Sequence, residues 1–132
     1  MNPLSAGAAY FISVFAVGFV LGTLRVLVLE PALGALAAVL VETPFILTAS
    51  WVLCRYWARR FTVPPETTPR LLMGVFAFGL LLSAEFILGR YGFGRSFAEQ
   101  LAAYKDAPVA IGLAGQTLFG IFPLLQARLA QK

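Results

Sequence analysis

Four long apolar segments restrict how this chain of 132 residues can fold. They cover approximately residues 4–29, 33–57, 70–89 and 108–125. An α-helix needs about 20 mostly apolar residues to cross the hydrocarbon core of a bilayer, and it satisfies its backbone hydrogen bonds internally. We therefore expect an all-α fold, an integral membrane four-helix bundle whose transmembrane helices run up-down-up-down. The length predicts a single transmembrane domain over residues 1–132.

The shortage of charged residues agrees with a surface that faces lipid. Only 12% of the residues are charged, 60% are hydrophobic, and the mean hydropathy is +0.85. Soluble domains carry about 25% charged residues, which cover their surface. The lipid bilayer is therefore the first expected partner. The basic residues neither form one face nor alternate with aromatic residues, so we expect no binding to nucleic acid.

The basic residues are distributed unequally along the chain. The connection between the second and third segments, its flanks and the C-terminus hold six of them: Arg55, Arg59, Arg60, Arg70, Arg128 and Lys132. The opposite side would hold Arg90, Arg95 and Lys105, with Arg25 near it. Cytoplasmic loops carry an excess of Lys and Arg. We therefore expect a multi-pass protein of the cell inner (plasma) membrane with both termini in the cytoplasm.

The connection between the third and fourth segments contains a helix signal of its own. Ser96 and Glu99 have the spacing of a capping box. Phe97, Leu101 and Tyr104 then recur at helical spacing. This pattern predicts a short amphipathic helix over approximately residues 96–105, lying on the outer membrane interface.

The residue types argue against catalysis. Histidine is absent, which removes the commonest general base and the commonest metal ligand. Cys54 is the one cysteine, so an intramolecular disulfide is excluded. Serines occur within the apolar segments, but no base of the usual kind accompanies them. We expect no enzyme activity, no cofactor and no metal site.

Four polar residues inside the apolar segments form the candidate substrate- or ion-binding site: Glu42, Gln116, Glu85 and Arg25. At about 1.5 Å of rise per residue, Glu42 and Gln116 lie closest to the middle of their segments. Ionisable residues inside a membrane are costly and mark functional sites. We expect Gln116 to face Glu42, and Glu42 to be protonated because no cation matches its depth. Pro44 should open the backbone beside Glu42, since it supplies no N–H group.

A repeated spacing predicts structural ion pairs in the outer half of the bundle. Glu30 follows Arg25 by five residues, and Arg90 follows Glu85 by five residues with the charges exchanged. If the first and third helices lie side by side, Arg25 pairs with Glu85 and Glu30 pairs with Arg90.

Small residues flank several of these polar positions. Gly18 and Gly22 precede Arg25 on one helical face, and Gly112 and Gly120 lie on either side of Gln116. Glycines at this spacing allow membrane helices to approach closely. We therefore expect the polar side chains to point into the bundle and away from lipid.

Two functions of different classes are compatible with this pattern. The first is a proton- or cation-linked transporter or ion pathway that uses the carboxylate near the midplane, most simply as a homodimer, because four helices enclose little volume. The alternative is an accessory or assembly subunit of a larger membrane complex, in which the buried polar network is purely structural and the partner is another membrane protein. A solvent-reachable cavity at Glu42 favours the first function, and a dry, packed carboxyl favours the second.

Overall fold

The computed structural model describes residues 2–92 and 94–130. The described residues are 91% helical and contain no strand. Four helices are long and apolar enough to cross a membrane: α1 (Pro3–Leu33), α2 (Ala35–Arg60), α3 (Thr67–Gly92) and α5 (Ala107–Ala130). The short helix α4 (Phe97–Ala102) lies between α3 and α5. The all-helical fold and the four apolar helices expected from the sequence are thus confirmed.

Helix α1 continues beyond residue 29, where the first apolar segment was expected to end. The chain stays helical through Pro31 to Leu33 and reverses at Gly34, whose φ of 88° favours glycine. A π-helical turn, Arg25–Leu29, ends two residues before the proline. In a regular helix the ring of Pro31 would meet the carbonyl of Leu27. The widened turn offers a way past that clash, and the helix need not end there.

The four long helices pack as a square in which α1 and α5 occupy opposite corners. Helix α1 packs against α2 and α3, and α5 packs against the same two helices. The first and third apolar helices therefore lie side by side, which was the condition for the ion pairs predicted between them. Helices α3 and α5 approach closely, because a Cβ atom on Gly74 would overlap the carbonyl oxygen of Gly120.

The packed core lies away from the turn at Gly34 and crosses the diagonal of the square. The ring of Tyr10 on α1 stacks on Phe119 of α5 with 4.2 Å between ring centroids. The Tyr10 hydroxyl donates to the Phe119 carbonyl oxygen at 2.7 Å. In an unbroken helix that carbonyl would accept from the backbone N–H of residue 123, but residue 123 is proline. The tyrosine therefore replaces the hydrogen bond that Pro123 cannot make.

Arg70 was expected to contribute to the basic membrane surface. It is instead buried and forms hydrogen bonds within the protein. The residue is 8% exposed. The guanidinium group donates to the carbonyl oxygens of Val63, Pro64 and Pro123 at 3.2–3.3 Å. These contacts tie the α2–α3 connection to α5.

The short helix α4 begins with the capping box that the sequence predicts. Ser96 Oγ accepts from the Glu99 backbone N–H at 3.1 Å, and the Ser96 N–H donates to Glu99 Oε1 at 3.2 Å. A 3₁₀ turn, Ala103–Lys105, follows the helix. Gln100 Nε2 donates to the carbonyl of Phe86 at 3.2 Å, so the helix is fastened to α3.

Candidate functional site

A cavity of about 900 Å³ lies between the four long helices, at the end of the bundle where α1 turns into α2. Each long helix contributes one of the four candidate residues to its wall: Arg25, Glu42, Glu85 and Gln116. The segment around α4 covers part of the same space, with Gln100 and Tyr104 in the wall. The tertiary structure thus brings all four candidate residues to one cavity.

Arg25 is paired differently from the sequence-based expectation. Its Nη1 atom lies 2.7 Å from Glu42 Oε2, and its Nε atom lies 3.9 Å from Glu30 Oε2. Within the described chain, the expected pairs of Arg25 with Glu85 and of Glu30 with Arg90 are not formed. Arg90 is exposed. The expectation that no cation lies near Glu42 is therefore wrong. It was the reason for expecting Glu42 to be protonated.

The turn at Gly34 explains this pairing. Arg25 precedes Gly34 by nine residues, and Glu42 follows it by eight. In a helical hairpin, residues equally far from the turn lie at the same level, so these two side chains meet. Depths counted from the middle of each apolar segment misplace them, because the first helix continues through Pro31.

Glu85 and Gln116 form a second polar contact across α3 and α5. Gln116 Nε2 donates a hydrogen bond to Glu85 Oε1. Gln116 was expected to face Glu42, but α5 presents it to its other neighbour, α3. Glu85 forms no ion pair with any side chain in the described residues. It is therefore Glu85, and not Glu42, that lacks a matching cation.

The second polar atom of the same glutamine is unsatisfied. Gln116 Oε1 is buried and has no hydrogen-bond partner among residues 2–92 and 94–130. A buried acceptor without a partner costs about 1–3 kcal/mol. The atom is therefore suited to accept from Glu85 when its carboxyl carries a proton. It can also accept from a donor in the cavity once the Gln116 side chain turns toward it.

Polar residues outside the apolar segments complete the cavity wall. Asp106 and Arg95 add charges, and Tyr104 adds a phenol. Burial, followed by the nearby Glu85 carboxylate, raises the pKa of the Tyr104 phenol above its usual value. Sequence reasoning assigned Tyr104 to an interfacial helix face and did not connect it to Glu85. Tyr104 lies just before the start of α5, and this position in the sequence could have indicated that it reaches the site.

The cavity is open at its charged end and closed at the other. The side chains of Arg25 and Glu30 are 30% and 32% exposed, whereas that of Glu42 is 12% exposed. The deep wall includes the buried side chains of Val14, Leu81 and Phe119, which belong to the packed core. The cavity thus runs inward from one end of the bundle and stops at an apolar layer.

Pro44 does not form part of this wall. Helix α2 is continuous through Pro44, whose side chain is exposed. Thr48 Oγ1 donates to the Pro44 carbonyl at 2.7 Å, and Thr43 Oγ1 donates to the Val39 carbonyl at 2.7 Å. The backbone beside Glu42 therefore stays helical.

The glycines expected to pack helices against the polar residues also differ in role. A Cβ atom added to Gly112 would meet no atom within 4 Å among the described residues. Gly112 instead lines the cavity, next to the turn of α5 that carries Gln116. On this part of α5 the missing side chain leaves space and does not bring a second helix closer.

The fold and the cavity together indicate the class of protein. Four apolar helices around a cavity that holds a few ionisable side chains are typical of a multi-pass membrane protein. No protein-family model, no curated protein and no solved structure matches this chain.

Proposed function

We propose that this protein is a small transporter or ion pathway of the inner membrane, in which carboxylates of the cavity exchange a proton or a cation. The observation that carries this proposal is the convergence of Glu42, Glu85 and Gln116 on one open cavity. A network that served only to hold helices together would be packed away from solvent. The accessory-subunit alternative has no comparable observation in its favour.

Within this proposal, Glu85 is the exchanging group and Arg25 is a fixed part of the wall. Arg25 is already held by Glu42 and Glu30, so its charge is compensated. The nearest polar partner of Glu85 is the neutral amide of Gln116. When Glu85 carries a proton, its O–H group has an acceptor in Gln116 Oε1, and the amide and the acid satisfy each other. When the proton leaves, a cation is needed in its place.

The proposed topology follows from the distribution of basic residues. Four antiparallel crossings would place both termini and the arginine-rich end of α2 in the cytoplasm. The cavity would then open toward the outer surface, with α4 lying on the interface above it. The packed layer around Tyr10 would close the cytoplasmic half. Passage of a solute therefore requires a second conformation, which a homodimer or another membrane protein would support. The proposal involves no catalytic step, cofactor or bound metal.

Infrared difference spectroscopy on the protein reconstituted in lipid tests this proposal. The carbonyl stretch of a protonated carboxyl group should titrate reversibly between about pH 5 and pH 9, a range that buried carboxyls reach. The band should be absent in Glu85→Gln. It should be unchanged in Glu66→Gln, which alters an exposed carboxylate at the other end of α3. A band that does not titrate, or that persists in Glu85→Gln, would show that Glu85 is not the exchanging group.

A further inference from the structure

We propose that the solute of this cavity is an amphipathic organic ammonium, with a protonated amine that carries N–H groups and an apolar body. The proposal rests on the function proposed above and names the chemical class of its substrate. Three properties of the cavity support it: the excess of negative charge, an unpartnered acceptor beside a carboxylate, and aromatic walls.

The charged groups of the wall favour a cation. Four carboxylates line the cavity, those of Glu30, Glu42, Glu85 and Asp106, against the guanidinium groups of Arg25 and Arg95. The formal excess is two negative charges. It becomes one if Glu85 is protonated. Because Arg25 contacts both Glu30 and Glu42, its guanidinium group has no free pair of N–H donors for a carboxylate or a phosphate. An anionic solute would therefore meet net repulsion, and a cationic one net attraction.

The contact between Glu85 and Gln116 matches an ammonium group in particular. The carboxylate supplies the charge, and the buried Gln116 Oε1 supplies an acceptor without a partner in the described residues. An amine with at least one N–H can satisfy both atoms, whereas a quaternary ammonium can satisfy only the charge. When the ammonium enters and the Glu85 proton leaves to solvent, the net charge of the site is unchanged. This exchange would couple the solute to a proton.

The remaining wall suits an apolar body. Aromatic side chains from several elements line the cavity, those of Phe15, Phe19, Phe86, Tyr104 and Phe119. The faces of such rings attract cations within about 6 Å. The volume of about 900 Å³ lies within the range of about 300–1,000 Å³ that is usual for small-molecule pockets. A bare divalent cation is not favoured, because no three metal-ligating side chains converge within the described chain.

The test compares two fluorescent probes that differ in charge and share their apolar body. Dansylcadaverine ends in an ammonium group, and N-dansyl-6-aminohexanoate ends in a carboxylate. Each is titrated into the full-length protein in detergent at pH 8, and the rise in dansyl fluorescence is corrected with protein-free micelles. We expect the ammonium probe to bind at least about tenfold more tightly, because its ammonium group forms charge-assisted hydrogen bonds whereas the carboxylate group is repelled by Glu85. Equal binding, or tighter binding of the carboxylate probe, overturns the assignment of the substrate class.

Variants then locate the binding site. Glu85→Gln should lose about tenfold in affinity for dansylcadaverine, and Gln116→Leu should weaken it by a smaller factor because the carboxylate remains. Glu66→Gln should bind like the parent protein. If Glu85→Gln keeps the full preference for ammonium, the ammonium site is elsewhere and the proposal fails. The comparison of the two probes on the unaltered protein remains decisive even if a variant does not fold.

The two proposals can fail separately. Probe binding needs no proton exchange and is measured without a membrane gradient. A protein whose Glu85 band titrates, but which does not prefer the ammonium probe, would retain the proposed function with another substrate. A protein that prefers the ammonium probe, but whose band does not titrate, would bind amines without exchanging protons.

Discussion

At the scale of single residues, the register of each hairpin decides which charges meet. Arg25 and Glu42 are nearly equidistant from Gly34, and the turn brings them within 2.7 Å. Glu85 is left with a neutral partner, Gln116. The chemistry of the cavity follows from this division, since one carboxylate is compensated and another is not.

A double-mutant cycle on Arg25 and Glu42 tests the pairing. We expect Arg25→Met and Glu42→Gln to be coupled by about 1 kcal/mol in the free energy of unfolding, a value for a partly exposed pair. The cycle of Arg25→Met with Glu85→Gln should show coupling below about 0.3 kcal/mol. Stability would be measured by denaturant titration in mixed micelles. Stronger coupling of Arg25 to Glu85 than to Glu42 would contradict the structure.

The hydrogen bond from Tyr10 to the Phe119 carbonyl makes a second prediction at this scale. Tyr10→Phe leaves a buried carbonyl unpaired and should cost about 1–3 kcal/mol of stability. In a Pro123→Ala background, the restored backbone N–H can serve that carbonyl, so the same substitution should cost less than about 1 kcal/mol. Tyr56→Phe, at an exposed position, is the control. An equal cost in both backgrounds would show that the hydroxyl does not replace the missing helix bond.

At the scale of helices, glycines have two different roles in this bundle. Gly74 and Gly120 let α3 and α5 approach closely, because a side chain on Gly74 would overlap the neighbouring backbone. Gly112 instead leaves room for the cavity, which it lines. The glycine spacing alone does not separate these roles, since both kinds lie on the same helices as the polar residues.

Two alanine substitutions on α3 distinguish the roles. Gly74→Ala should destabilise the protein by about 3 kcal/mol, because the backbone of α5 must move to admit the methyl group. Gly79→Ala, on the same helix, meets no atom within 4 Å in the described residues and should be neutral or stabilising by up to about 1 kcal/mol. Thermal unfolding in one detergent measures both. Similar effects of the two substitutions would argue against the close α3–α5 contact.

At the scale of the whole molecule, the bundle is divided along its length. One half is packed around Tyr10, Met73 and Phe119, and the other encloses the cavity. This division gives the proposed orientation a functional meaning, because it determines the side from which a solute can enter.

Labelling of introduced cysteines tests the orientation. A membrane-impermeant maleimide should react with Ala98→Cys on α4 in intact spheroplasts, and with Glu66→Cys only after permeabilisation. Both positions are exposed, and native Cys54 is buried, so the background should be low. Labelling of Glu66→Cys from outside would invert the topology. Labelling of both positions from the same side would contradict the four crossings.

The sequence by itself determined the class of this protein and the candidate residues of its site. Apolar length fixes the four helices, because a segment that must satisfy its backbone in lipid has few other options. The Ser96 capping box predicts α4, because local hydrogen bonds decide where a short helix starts. The scarcity of ionisable groups in apolar segments singled out Arg25, Glu42, Glu85 and Gln116, since each is costly there.

Only the tertiary structure decided which of these residues touch. Whether α1 stops at Pro31 or continues to Gly34 changes the level of Arg25 relative to Glu42, and a π-helical turn lets it continue. The order of helices around the square decides that α5 presents Gln116 to α3, where it meets Glu85. Helix order and hairpin register depend on the packing of all four helices at once. A pattern read along one segment does not contain them, and the identity of the free carboxylate follows from them.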